Sequence, residues 1–240
     1  YYAYKKAGGK WYSAKPIWQD NNDTNTKPRV ALDDNGHAAA IWQQGYYIRK
    51  SGLSPEEQND IENLQFMGDL MYSRFDGTSW TEPVSVLYLN RKLQLSEYQI
   101  SYHNGEAFIA ATEILPDDVV KPVFIHVAAN GNVTVSDAPM QANSMFEVRR
   151  VGNHNVVAQL TDAGTEDKQV RIALNSYDMQ GQPDGQLNTS VSIGNAGIAS
   201  FRLVADHNAR SLNNLGLMWL QTAQDASADS TYNAICAARL

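Results

Sequence analysis

The sequence predicts an all-β fold, a β-propeller of four-stranded antiparallel blades, and three observations carry that prediction. The stretch Asp69 to Val86, DLMYSRFDGTSWTEPVSV, reads as strand, tight turn and strand. Met71, Ser73 and Phe75 alternate against Leu70, Tyr72 and Arg74 before Asp76-Gly77, and Trp80 opens the next strand. The same unit opens the chain, where Tyr2 to Ile17, YAYKKAGGKWYSAKPI, places Gly8 three residues before Trp11 as Gly77 stands three before Trp80. Glycines between third and fourth strands then recur at Gly77, Gly131 and Gly181, spaced by 54 and 50 residues, with four strands between successive markers. Four-stranded repeats of about 40 to 50 residues suit propeller blades, because one such sheet cannot bury both its faces alone and radial stacking buries each between its neighbours.

Composition bounds the class. A chain of 240 residues, 43% hydrophobic and 19% charged, carries the apolar side chains of a full core, so residues 1–240 are read as one propeller domain or a propeller segment. A net charge of −7 argues against nucleic acid as a partner, since phosphate affinity needs a concentration of Lys and Arg. Basic pairs such as Arg149-Arg150 and Arg91-Lys92 stand far apart in the chain. The single cysteine, Cys236, reads as a small apolar strand residue, and one thiol makes neither an internal disulfide nor a thiolate metal site. No apolar run approaches the roughly 20 residues that span a bilayer as a helix, so no membrane insertion is expected. The opening Tyr-Tyr-Ala-Tyr suits a mature secreted chain or, as favoured here, a fragment of a larger exported protein.

In chain order, the opening hairpin predicts strands at Tyr1 to Lys6 and Lys10 to Ile17, with Trp11 and Trp80 expected at equivalent places in neighbouring outer strands. Asp20 to Asn25 reads as a polar loop. It lacks the carboxylate spacing of a calcium site. Lys27 to Gln44 predicts two strands around Asp33-Asp34-Asn35-Gly36, a turn whose side chains and glycine supply the bonds and positive φ a hairpin needs. Between Gly45 and Gly68, Ser54-Pro55-Glu56-Glu57 is a helix-start signal, so a short helix over about 54–64 is expected as an insertion.

Further strand pairs are predicted at Tyr98 to His103 with Glu106 to Ile114, Pro122 to Ala128 with Val133 to Ser136, and Phe146 to Val151 with Asn155 to Thr161. Val170 to Tyr177 pairs with Leu187 to Ile193, and Ser200 to Ala205 with Leu215 to Gln221, before a last strand at Tyr232 to Leu240. That makes about four to five blades. Counting both ends overshoots a closed set by one strand, so further blades are expected in sequence outside these residues, with open edges needing partners.

The phrases KPRVALDDNGHAAAIWQQ and DLMYSRFDGTSWTEPVSV resemble blades of bacterial sialidase-like, Asp-box-related β-propellers, in which a turn glycine precedes a tryptophan opening the outer strand. The likeness covers nearly the whole chain as architecture, and the first blade with the opening hairpin as motif. Ser73, Asp76, Gly77 and Trp80 depart from the Asp-box S-x-D-x-G-x-x-W by placing Asp directly against Gly. The resemblance implies a propeller in a secreted or cell-surface protein.

Sialidase chemistry requires an arginine cluster and a tyrosine nucleophile beside a carboxylate, and other glycosidases require two acids flanking the bond. Arg29, Arg74, Arg149, Arg171 and Arg202 lie on several strands, and Glu113, Asp162 and Asp225 end second strands, in positions ordinary for solvated strand residues. His37, His103, His126, His154 and His207 are scattered singly, and four of them fall near the first-to-second-strand turn of successive repeats. No metal or cofactor is expected. Trp42 and Trp219 occupy matching places in second strands and read as blade-to-blade packing, the alternative being a carbohydrate platform, whereas Tyr46 and Tyr47 are better placed for exposed binding contacts. The expected function is a noncatalytic module that binds glycan or protein or serves a structural role beside other domains of a larger polypeptide. A divergent glycoside hydrolase or lyase is the alternative.

Overall fold

Asp33 and Asp76 each fold a turn around their own carboxylate, and the two turns frame the first sheet. Asp33 Oδ1 accepts from the backbone N–H of Asn35 and His37, both at 2.9 Å, with Gly36 at φ +79°. Asp76 Oδ1 accepts from Thr78 at 2.8 Å and Ser79 at 2.9 Å, with Gly77 at φ +94°. The short acceptor side chain satisfies amides that the turn strips from any strand ladder, and glycine takes the positive φ at no steric cost. The computed structural model describes all residues except 6–7, 19–23, 50–51, 53, 58–63, 90–97, 116–118, 163–169, 195–196, 206–209 and 226–229. The fold is all-β and of the β-propeller class, each sheet being an antiparallel blade whose strands run in chain order. The chain divides into two compact units, residues 1–93 and 94–240.

In the first unit β1 (Thr24–Leu32), β2 (Ala38–Arg49), β3 (Leu64–Phe75) and β4 (Val84–Leu89) form one sheet in the order β1-β2-β3-β4. Ala38 to Gln43, Leu70, Tyr72, Phe75, Val86 and Leu87 are buried. Small residues along β2 suit a strand covered on both faces. Gly68 lies opposite Gly45, and a Cβ there would sit 2.1 Å from the Gln44 carbonyl oxygen, so this pair lets β2 and β3 continue in register to Arg49 and Leu64.

Two sequence expectations change here. The insertion is shorter than Gly45 to Gly68, since the paired strands take up both its ends. Ser54 and Glu57 do form a reciprocal cap, with Ser54 N donating to Glu57 Oε2 at 2.9 Å and Glu57 N donating to Ser54 Oγ at 3.4 Å, and Glu57 has 3-10 geometry, but at the far end Leu64 is already strand. Residues 58–63 of the expected helix lie outside the described residues. The cap signal is local and is met locally; the alternation of β3 claims the far end.

The expected strands Tyr1 to Lys6 and Lys10 to Ile17 are instead joined by two isolated bridges, Tyr2 with Lys15 and Lys5 with Trp11. Trp80 likewise bridges Phe75 across its glycine turn. The two tryptophans are thus equivalent in closing a turn, and neither lies inside an outer strand. Five residues separate Lys5 from Trp11 and four separate Phe75 from Trp80, which leaves the opening hairpin with the looser ladder.

The second unit holds three sheets. β5 (Tyr98–His103), β6 (Glu106–Ile114), β7 (Val120–Val127) and β8 (Val133–Asp137) form one, and β9 (Phe146–Val151), β10 (His154–Asp162), β11 (Val170–Tyr177) and β12 (Pro183–Gly194) the next. β13 (Gly197–Ala205), β14 (Leu215–Asp225) and β15 (Ser230–Arg239) make a third sheet of three strands. Four sheets among the described residues settle the lower of the expected blade counts.

Faces stack as blades require. Phe108, Ala110 and Phe124 of the first of these sheets pack on Phe146, Val148, Val157 and Tyr177 of the second, with Phe124 edge-on to Tyr177 at 4.9 Å between centroids. Val151, Val156, Ile172 and Leu174 pack in turn on Phe201, Leu203, Leu215 and Leu217. The outer strand β8 is mostly exposed, whereas the inner strands β5 and β9 are largely buried. Gly181, at φ +81°, brings its turn so close to the Phe124 ring that an added Cβ would lie 3.0 Å from it.

Candidate ligand-binding surface

The first unit carries an aromatic surface built on the opening hairpin. Tyr4 stacks on Tyr12 with centroids 4.4 Å apart and planes 12° apart, and Tyr2 stacks on Tyr4 at 6.2 Å. Both Tyr2 and Tyr4 also touch Phe75, and Phe75 touches Trp80. Phe75 is buried and Trp80 half-buried, its indole N–H enclosed without a hydrogen-bond partner. The cluster anchors the hairpin through ring contacts where its strand ladder is sparse, each such contact adding about 0.5–1.5 kcal/mol beyond area burial.

Above this base the hairpin presents rings to solvent. Trp11 is 70% exposed, Tyr1, Tyr12 and Trp18 are also exposed, and Lys5 stands directly opposite Trp11 in its bridge. Lys5, Lys10 and Lys15 are exposed. A flat ring held open in this way offers its face to an apolar sugar face or a peptide side chain. An ammonium on the same face offers three donors.

Tyr46 and Tyr47 are exposed, at 57% and 53%. As consecutive residues of β2 they point to opposite faces of the sheet, so they do not make one platform. Trp42 is buried and donates from Nε1 to Asn25 Oδ1 at 2.9 Å. Trp219 packs on the core of the second unit and donates to Gln221 Oε1 at 2.8 Å. Trp42 is thus a core residue, and Trp219 lies half-buried against the core of its unit. Cys236 is a free thiol, partly buried, opposite Trp219.

The polar chemistry of the second unit gathers where its turns meet. Asn155 is fully buried; its Oδ1 accepts from Ser101 Oγ at 2.6 Å and Arg150 Nη1 at 3.4 Å, and its Nδ2 donates to the Asp178 carbonyl at 3.0 Å. Arg150 also donates from Nε to the Gly152 carbonyl at 2.9 Å, and burial pushes its guanidinium below the ordinary value while the charge of Glu106 works the other way. Glu106 Oε2 lies 3.6 Å from His126 Nε2, which is buried without a hydrogen-bond partner. Nearby in sequence, His154 Nδ1 meets Asp184 Oδ2 at 2.6 Å, and Ser176 Oγ donates to the other Asp184 oxygen. Burial raises the Asp184 pKa, but hydrogen bonds from Ser176, His154 and the Gln186 amide outweigh it and leave the carboxyl below its usual value.

Of these residues, only Arg150, His126 and His154 stand out in the sequence. Asn155 and Ser101 are 54 positions apart, and no local pattern links them. Of the arginines singled out, Arg202 pairs with Glu147 at 2.6 Å across two sheets, Arg149 and Arg171 are exposed strand residues, and Arg29 and Arg74 lie in the other unit. Glu113 lies opposite Lys121 in β6 and β7. The side chains of Asp162 and Asp225 fall outside the described residues, as does His207. His37, His103 and His154 do sit at first-to-second-strand turns, and His37 and His154 each meet a carboxylate of their own, Asp33 and Asp184. Among the described residues no three His, Cys, Asp or Glu side chains converge as a metal site.

No family model matches this chain, and no curated protein matches it.

Proposed function

We propose that the chain is a noncatalytic β-propeller module that binds glycan through the aromatic surface of its opening hairpin, as part of a secreted or cell-surface protein. The observation that carries this reading is Trp11, 70% exposed on a hairpin whose other face is pinned by the stack Tyr12, Tyr4, Tyr2, Phe75 and Trp80. A large apolar ring left in water costs solvation unless a ligand covers it, and a pre-ordered ring loses little entropy on binding. Tyr1 and Trp18 add further exposed rings to the same segment.

A glycan array, followed by calorimetry on the hits, tests this reading. Binding that falls at least about fivefold in Trp11→Ala, with the ligand recovered intact after long incubation, supports it. New reducing ends released from the ligand favour the alternative, a divergent glycoside hydrolase or lyase, and loss of binding in Tyr46→Ala with none in Trp11→Ala moves the surface to β2.

A further inference from the structure

The opening hairpin is as distinctive in charge as in aromatic content. Residues 1–19 hold four of the chain's 19 basic residues, Lys5, Lys6, Lys10 and Lys15, and none of its 26 acidic ones. The chain as a whole carries −7. Lys5, Lys10 and Lys15 are exposed, and no ion pair to them occurs among the described residues. Lys5 faces Trp11 across its bridge, so a ring and an ammonium share one face.

From this placement we infer that the hairpin takes an acidic polysaccharide, a polymer whose sugar rings carry carboxylates or sulfates. It rests on the glycan-binding reading above and names the ligand class. A sugar ring with its apolar face on Trp11 places an equatorial carboxylate at its rim, where a lysine ammonium reaches it. Lys10 and Lys15, exposed elsewhere on the same hairpin, add the positive charge that draws an anionic polymer to it. The compact ammonium suits single anionic oxygens presented at varying angles, whereas bidentate recognition would call for arginine, and residues 1–19 contain none. The rest of the acidic chain repels such a polymer, which confines it to this patch and makes binding salt-sensitive.

The test compares polygalacturonate with its fully methyl-esterified form, which keeps the backbone and removes the charge. Binding by affinity electrophoresis and calorimetry is measured at low and moderate salt for the wild type, for Lys5→Gln/Lys10→Gln/Lys15→Gln and for Trp11→Ala. All four side chains are exposed, so the variants should fold, and the thermal transition checks this. The expected result is tight binding of polygalacturonate and dextran sulfate, weakened about tenfold or more by esterification, by the triple lysine change and by raised salt. Equal binding of the charged and esterified polymers, unaffected by the lysine changes, overturns the acidic-ligand inference and leaves the glycan reading standing. Binding of neither polymer, nor of any array glycan, overturns both. Equal or tighter binding to phosphatidylserine vesicles or to an oligodeoxythymidylate, with the same lysine dependence, overturns the inference in favour of a general anionic surface.

Discussion

Tyr2 stands edge-on to Trp80, with ring centroids 5.5 Å apart and planes 69° apart. The two residues belong to the two copies of one sequence unit, the opening hairpin and the β3–β4 turn, so the copies touch, the leading tyrosine of one against the turn-closing tryptophan of the other. Edge-to-face geometry lays a positive ring rim on a negative ring face, which gives the pair an attraction beyond buried area.

A double-mutant cycle measures that attraction. Tyr2→Ala and Trp80→Ala should each destabilise the first unit, and the pair should show a coupling of about 0.5–1.5 kcal/mol in urea unfolding. Additive losses would mean that the hairpin does not rest on Trp80.

Replacing Asn155 tests the buried join between the first two sheets of the second unit. Asn155→Leu keeps the branched outline of the side chain and strands Ser101 Oγ and the Asp178 carbonyl without their partner. A loss of about 2–4 kcal/mol is expected by chemical denaturation, and adding Ser101→Ala should return part of it, because the stranded hydroxyl is then gone.

Gly68→Ala should cost about 1–3 kcal/mol, since the new methyl meets the Gln44 carbonyl oxygen, a backbone atom with no rotamer to change. Gly77→Ala is strained for a different reason, its φ of +94°, and has only His37 within reach. The comparison separates crowding from backbone conformation.

Asp184 makes the second unit acid-sensitive. Its carboxyl has a folded-state pKa below the ordinary value, so the stability it contributes is fully present above the unfolded value near 4 and is lost as pH falls through the lowered folded value. Asp184→Asn should therefore lower the thermal midpoint at neutral pH and flatten its decline below about pH 4. A variant whose midpoint falls in parallel with wild type across that range would show that the Ser176 and His154 contacts do not act through charge.

Much of the fold was legible because its signals are local. Asp-Asn-Gly before His37 and Asp-Gly before Thr78 fold their turns with their own side chains, and alternation places β3, β6 and β10 within a few residues. The helix expected over 54–64 is met at its start by the reciprocal cap of Ser54 and Glu57 and is cut short at Leu64, which belongs to β3, while residues 58–63 lie outside the described residues. The Tyr2 to Trp80 contact and the Ser101 to Asn155 bond depend on which distant segments meet, and sequence periodicity carries no such information. Tyr46 and Tyr47 showed the remaining gap: their exposure was readable, but as strand neighbours they serve opposite faces.

β15 is tied to β14 through ten facing pairs, from Gly216 with Arg239 to Asp225 with Ser230, and among the described residues it pairs with no other strand. Its ladder is therefore loaded unevenly under tension. A pull on Leu240 falls first on the bond from its amide to the Leu215 carbonyl and then on each rung in turn, so the strand opens like a zip at low force. β11, held between β10 and β12, would have to shear two ladders at once.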